Sequence, residues 1–171
     1  MITTAPMLPA HWPAVRAIYL EGIATGSATF ETEAPDWERW DADHHAAARL
    51  IAAQQDRVVG WAALSPVSRR QAYRGVAEVS VYVATDARGN GVGTLLLRAL
   101  IEAAEAAGFW TLQASVMADN VATVRLHVKS GFRQVGRRER IGRLHGVWRD
   151  TLLLERRSAR VGIDGRAAGP A

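Results

Sequence analysis

The stretch from Glu78 to Thr94 constrains this chain more than any other, because it reads without a break as strand, glycine loop and helix. Val79 to Val83 carry the β-branched and aromatic side chains of a strand. Val92, Leu95, Leu96, Ala99, Leu100 and Ala103 recur at helical spacing. Between the two lies Arg88-Gly89-Asn90-Gly91-Val92-Gly93. Three glycines in five residues let the backbone turn sharply and aim its N–H groups at one point, where a helix N-terminus adds partial positive charge. That arrangement is an anion cradle.

Spacing narrows the choice of anion. A dinucleotide fingerprint needs glycine at its sixth position, and counting from Gly89 the sixth residue is Thr94. A nucleotide-triphosphate loop needs a Gly-Lys-Ser/Thr ending, and this loop holds no lysine. What remains is Arg-x-x-Gly-x-Gly, a loop that either cradles another phosphate-bearing ligand or is a plain glycine turn with a solvated Arg88.

A length of 171 residues fits one domain. With no cysteine, disulfides, thiolate metal sites and an acyl-cysteine intermediate are excluded. The five histidines lack metal-ligand spacing, so no metal is expected. The pI near 10.3 invites a nucleic-acid reading. However, residues 156–171 hold four arginines against one aspartate, which leaves a net charge of only +1 on residues 1–155 out of the total +4. We expect a single domain over 1–155 and a disordered basic tail over 156–171, with no nucleic-acid partner. Neither a leader peptide nor a run long enough to span a membrane is visible, so a cytoplasmic location is expected.

In chain order, Pro13 suits the first turn of a helix with Val15, Ile18 and Tyr19 or Gly22 inward, ending near Gly22 to Gly26. In the polar loop that follows, Phe30 either lines a pocket or anchors the loop. A second helix starts at Pro35-Asp36 and carries Trp37, Trp40 and His44. Arg49 to Gln54 and Val58 to Leu64 suggest a hairpin. Ser68 to Gly75 gathers Arg70, Tyr73 and Arg74, which could capture a carboxylate or simply be solvated. Alternation on the central strand puts Glu78, Ser80 and Tyr82 on one face. A carboxylate in such a restricted place suits general-base work; at a strand end it would only meet water or an arginine. Gly108 closes the long helix, and Thr111 to Val116 forms a strand. Asn120 then caps a helix over Val121 to Ser130 with the stripe Val121, Val124 and Val128 inward. Asn120 and His127 share one side of that helix, about 10 Å apart along its axis. Two closing strands, about Phe132 to Ile141 and Val147 to Glu155, flank Gly142 to Gly146.

With these pieces placed, the chain up to about Glu155 resembles the GNAT acetyltransferase superfamily. The Arg88-to-Gly93 loop looks like its pyrophosphate loop, and Asn120 with Arg125-Leu-His-Val-Lys-Ser-Gly-Phe132 looks like its second cofactor motif. Further segments resemble the phosphinothricin and methionine sulfoximine N-acetyltransferase branch: Ala28 to Pro35, Val59 to Ala63, Ala72 to Arg74, Glu78 to Val83 and Trp148 to Asp150. Many members of the superfamily place a tyrosine where His127 stands, a departure shared with that branch.

The resemblance implies an α/β (α+β) fold with a mixed, mostly antiparallel sheet of about six to seven strands flanked by about four helices. It implies acetyl-CoA as cosubstrate, direct transfer to the amine of a small amino-acid-like acceptor, and a homodimer with Trp148 near the acceptor site. The coenzyme is expected on Val81, Tyr82, Val83, Arg88, Gly89, Asn90, Gly91, Val92, Gly93, Thr94 and Asn120. Glu78 would act as base and His127 on the leaving thiolate, and the acceptor would meet Phe30, Arg70, Tyr73 and Arg74. A peptide N-terminus as acceptor, or a non-catalytic acyl-CoA sensor, are the alternatives.

Overall fold

The computed structural model describes residues 1–164. In chain order the elements are β1 (Ile2–Pro6), α1 (Trp12–Ala24), α2 (Trp37–Asp43), β2 (Leu50–Gln54), β3 (Arg57–Pro66), β4 (Val76–Val83), α3 (Val92–Ala106), β5 (Thr111–Met117), α4 (Val121–Lys129), β6 (Arg133–Leu144) and β7 (Val147–Arg157). The strands form one seven-stranded sheet in the order β1-β2-β3-β4-β5-β7-β6. Only β4 and β5 run parallel, which requires the α3 crossover between them. The mixed, mostly antiparallel sheet with four α-helices is the expected architecture.

The pleat of β3 and β4 sorts their side chains. Trp61 pairs with Tyr82, Ala63 with Ser80 and Ser65 with Glu78, so these six share the face on which Tyr19 of α1 meets Trp61 and Tyr82. The opposite face packs against α3. A Cβ on Gly60 would stand 2.9 Å from Leu96 Cδ1, so the helix lies directly on that strand. Trp40 and Trp61, each 1 % exposed, centre the aromatic part of the core. Burying such side chains contributes roughly 1.5–3 kcal/mol each.

The pairing of β4 with β5 is short. Only Val76 to Glu78 match Thr111 to Gln113; beyond Glu78 the strands separate. The Ala84 N–H bonds to Val59 O, and the ladder to β3 carries no register shift. By alternation the N–H groups of Ser80 and Tyr82 therefore also face β3, while those of Val81 and Val83 face the gap.

Three expectations need correction. Val121 and Val128 of α4 are each 52 % exposed, and the buried residue is His127. The helix has nine residues, and it turns Leu126 and His127 inward together with Val124, the one member of the expected stripe that packs on the core. Gly142 to Leu144 belong to β6, and the turn is the two-residue His145-Gly146, both at positive φ, 48° and 81°, as a tight hairpin demands. Finally, β7 runs on through Arg157, past the boundary expected at Glu155. Glu105 of α3 binds Arg156 at 2.9 Å, Arg160 at 3.6 Å and the Ser158 hydroxyl at 2.9 Å, and the Arg156 hydrogen bond holds its carboxyl below the usual range. Residues 165–171 of the expected tail lie outside the described part.

Candidate functional site

The glycine loop adopts the conformation its composition demands. Gly89 and Gly91 have φ of 79° and 80°, where an L side chain is strained, and Gly91 is the N-cap of α3. The first intrahelical bond from this end is Leu95 N–H to Gly91 O, which leaves the N–H groups of Val92, Gly93 and Thr94 pointing out of the helix. No acidic side chain stands in that first turn to neutralise them. Gly93 has a separate task, since a Cβ there would come within 3.3 Å of Leu126 Cδ2, so its absence lets α3 and α4 approach.

A cavity of about 530 Å³ opens in front of this loop. It brings together Val81, Tyr82, Val83, Arg88, Gly89, Gly91, Val92, Gly93, Thr94 and Asn120, which the chain contributes from three separate segments. Asn90 does not border it; its amide reaches back to the carbonyls of Ala87 and Arg88, both at 3.4 Å, and serves the loop's own shape. Arg88 lies at the mouth with its Nε on Val83 O at 3.2 Å.

Sequence reasoning missed one wall. Gly22, Thr25, Ser27 and Ala28, from the end of α1 and the loop beyond, line the same cavity. Asn120 Nδ2 donates to Ser27 O at 3.1 Å while its Oδ1 accepts from Thr123 N–H at 3.2 Å, so one side chain caps α4 and holds the loop. Arg149 of β7 donates to Gly26 O at 2.8 Å and pairs with Asp119 at 2.7 Å. The small polar run Thr25-Gly26-Ser27 was the available signal, but nothing local links it to residues nearly a hundred positions away.

Glu78 sits where β4 and β5 part. Its carboxylate accepts from Gln113 Nε2 at 2.5 Å and from the Ser115 N–H at 2.9 Å, taking the place of a strand partner. Ser115 itself is exposed, so the gap leads to solvent. His127 is 3 % exposed and is not part of the lining of the cavity at the glycine loop, which its neighbours Thr123 and Leu126 border. Its Nδ1 is 2.8 Å from Thr123 O, a contact that only a ring N–H can satisfy, so in the neutral ring Nε2 carries the lone pair. That Nε2 is buried with no hydrogen-bond partner, and the ring edge meets Phe132 with centroids 5.0 Å apart. Burial lowers its pKa, opposed by the Thr123 carbonyl and the Glu78 charge. The ring is neutral at pH 7.

The expected acceptor residues are dispersed. Phe30 anchors its loop by stacking where a Cβ on Gly142 would stand, 2.6 Å from its ring, and it faces neither cavity. Arg70 lies over Tyr73 at 5.6 Å and Arg74 over Trp110 at 5.2 Å, at the entry to β4 and away from both cavities. Trp148 is 56 % exposed under Arg143. A second cavity of about 430 Å³ opens on the α1 side of β3 and β4, and Tyr82 borders both. Burial raises the pKa of the Tyr82 hydroxyl, with Tyr19 beside it adding to the effect.

Residues 12–132 match the acetyltransferase (GNAT) family model. The chain belongs to that family. It is 36 % identical over 154 residues to a phosphinothricin N-acetyltransferase of Alcaligenes faecalis, covering 84 % of this chain and 76 % of that one. It is 32 % identical over 152 residues to an L-methionine sulfoximine/L-methionine sulfone acetyltransferase of Pseudomonas paraeruginosa, covering 85 % and 88 %. The crystal structure of a GNAT superfamily phosphinothricin acetyltransferase from Sinorhizobium meliloti in complex with AcCoA superimposes with a TM-score of 0.85 at 28 % identity, covering 94 % and 90 %. Among the described residues no group of three or more His, Cys, Asp or Glu is placed to hold a metal, and no helix is long and apolar enough to cross a membrane.

Proposed function

We propose that this GNAT enzyme transfers the acetyl group of acetyl-CoA to the amino group of a small amino-acid-like acceptor. The observation that carries the reading is the cavity joining the Gly89–Thr94 cradle to the Val81–Val83 backbone and Asn120. Its size, its unneutralised N–H groups and the open edge of β4 fit a long thioester with a pyrophosphate at one end. The loop N–H groups hold the phosphates, and Val81 or Val83 N–H stabilises the oxygen that becomes negative during attack.

Glu78, directly or through water, takes a proton from the acceptor ammonium, because only the free amine attacks. The new C–N bond forms as the C–S bond breaks, and the coenzyme leaves as a thiolate that must be protonated. His127 starts neutral, so it serves the thiolate only after its Nε2 has received a proton released from the acceptor nitrogen. Arg74, with Arg70 and Tyr73, is assigned the acceptor's carboxylate from the far side of Glu78. A homodimer working in the cytoplasm completes the reading; β6 and β7 expose the apolar side chains of Val135, Ile141, Val147 and Trp148. Light scattering tests the dimer, and a monomer at micromolar concentration would remove it.

The function is tested by thiol release from acetyl-CoA over phosphinothricin, methionine sulfoximine, methionine sulfone, several L-amino acids, polyamines and a short peptide. Turnover with the amino-acid-like members is expected. Turnover with the peptide alone would move the acceptor to a protein terminus, and tight acetyl-CoA binding without thiol release would make the protein a sensor.

A further inference from the structure

We propose that Gln113 is a positioning residue for the base: with the Ser115 N–H it aims the Glu78 carboxylate into the gap between β4 and β5 and holds it there. This rests on the reading of Glu78 as the base. Glu78 and Gln113 form the last matched pair before the two strands separate. A carboxylate only accepts, so the Gln113 amide presents Nε2 to it, 2.5 Å from Oε2. The Ser115 N–H holds the other oxygen, Oε1, at 2.9 Å. Thr111 N–H reaches Gly75 O, so by alternation the N–H of Ser115 also points toward β4, at a level where the ladder has already ended. Two donors on one strand, two residues apart, thus grip both oxygens. The carboxylate cannot swing toward β3 without losing both bonds. Val81 and Val83 direct their N–H groups into the same gap, so the base and the donors assigned to the thioester oxygen open onto one space.

The sheet also settles which carboxylate Gln113 serves. Ser65, Glu78, Gln113, Glu155 and Arg133 are matched in turn across β3, β4, β5, β7 and β6, and so they share one face. Gln113 therefore stands between two carboxylates. Arg133 pairs with Glu155 at the outer end of this row, which leaves the amide to Glu78. The remaining neighbours add no charge: Ser65 on the β3 side is neutral, and so is the ring of His127 from α4. An amide is the donor suited to this place, because it orients a carboxylate without a cation's pull. A lysine or arginine would form a charge-assisted bond and make the carboxylate a weaker base.

A double-mutant cycle in the full-length enzyme tests the assignment. Gln113→Leu should lower kcat about tenfold and leave the acetyl-CoA KM within about twofold. It should also move the acid limb of the pH–rate profile to higher pH, because a donor to the charged form favours that form and leucine removes it. In the Glu78→Gln background the same substitution should change kcat by less than about twofold, since no base remains to be aimed. Gln113→Asn, one methylene too short to reach, should repeat these results should leucine impair folding. An unchanged kcat, equal losses in the two backgrounds or an unmoved acid limb overturns the proposal. Should Glu78→Gln itself keep the wild-type kcat, the base reading fails instead. The bond is then judged by NMR: the Gln113 side-chain amide signal must move as carboxylates titrate in the wild type and stay still in Glu78→Gln. A signal that is stationary in the wild type overturns the proposal as well.

Discussion

The two cavities on either side of Tyr82 are built in opposite ways. The cavity at the glycine loop is made of backbone: two left-handed glycines, the first turn of α3 and the open edge of β4. The second cavity is made of side chains drawn from α1, the loop after it, α2, β3 and β4. A backbone site tolerates side-chain exchange and fails when its dihedrals are disturbed; a side-chain site behaves the other way round.

The largest effect is expected at Glu78, where β4 and β5 part. Glu78→Gln keeps one acceptor oxygen for Gln113 or the Ser115 N–H and removes the base, and kcat should fall by about 10²–10⁴-fold with acetyl-CoA affinity retained. An unchanged pH–rate profile would leave Glu78 as a bridge between β4 and β5 only. Gly91→Val comes next, because a β-branched residue at φ 80° costs about 1–2 kcal/mol or forces the loop to move. Its acetyl-CoA affinity should drop about tenfold by calorimetry while the acceptor KM holds; an unaltered affinity would show that the loop does not touch the phosphates.

A smaller loss is expected from Arg88→Ala, about threefold in acetyl-CoA affinity, since Arg88 is exposed and screened by solvent. A loss as large as that of Gly91→Val would break the contrast by making a side chain the main phosphate ligand. The smallest expected effect is on stability against pH. Burial lowers the pKa of His44, His45 and His127, so as pH falls the unfolded chain takes its protons first, near the ordinary value of about 6.5. Stability is full above that pH and declines below it. The melting temperature should be lower at pH 5.5 than at pH 7.5 and the decline shallower in His127→Asn; equal slopes would show that His127 does not titrate differently on folding.

The same contrast decides what could be read from the residues alone. The cradle was legible because every part of it lies between Glu78 and Thr94, and glycine spacing encodes dihedrals directly. The position of Glu78 followed from strand alternation, although its bonds to Gln113 and Ser115 depend on how β5 is laid beside β4. His127 was recognised by its place in a motif, yet the apolar stripe assigned to α4 would have left it outside. A short helix anchored by Asn120 at its start turns by its anchor more than by its valines. Of the two roles open to Phe30, the loop anchor is the one its contact with Gly142 fits, and that glycine lies more than a hundred residues away, beyond any local pattern. The second cavity had no local signature at all.

The loop over the coenzyme cavity is tied down by the bonds from Asn120 to Ser27 O and from Arg149 to Gly26 O. Together such bonds are worth about 2–4 kcal/mol net. That is less than the stability of a whole domain, so the loop can lift while the sheet stays closed. Amide protons of residues 25–28 should exchange faster than those of β4, and faster still in Asn120→Ala; matched rates would mean the loop opens only when the molecule unfolds. Departure of the spent coenzyme then follows the lifetime of two hydrogen bonds.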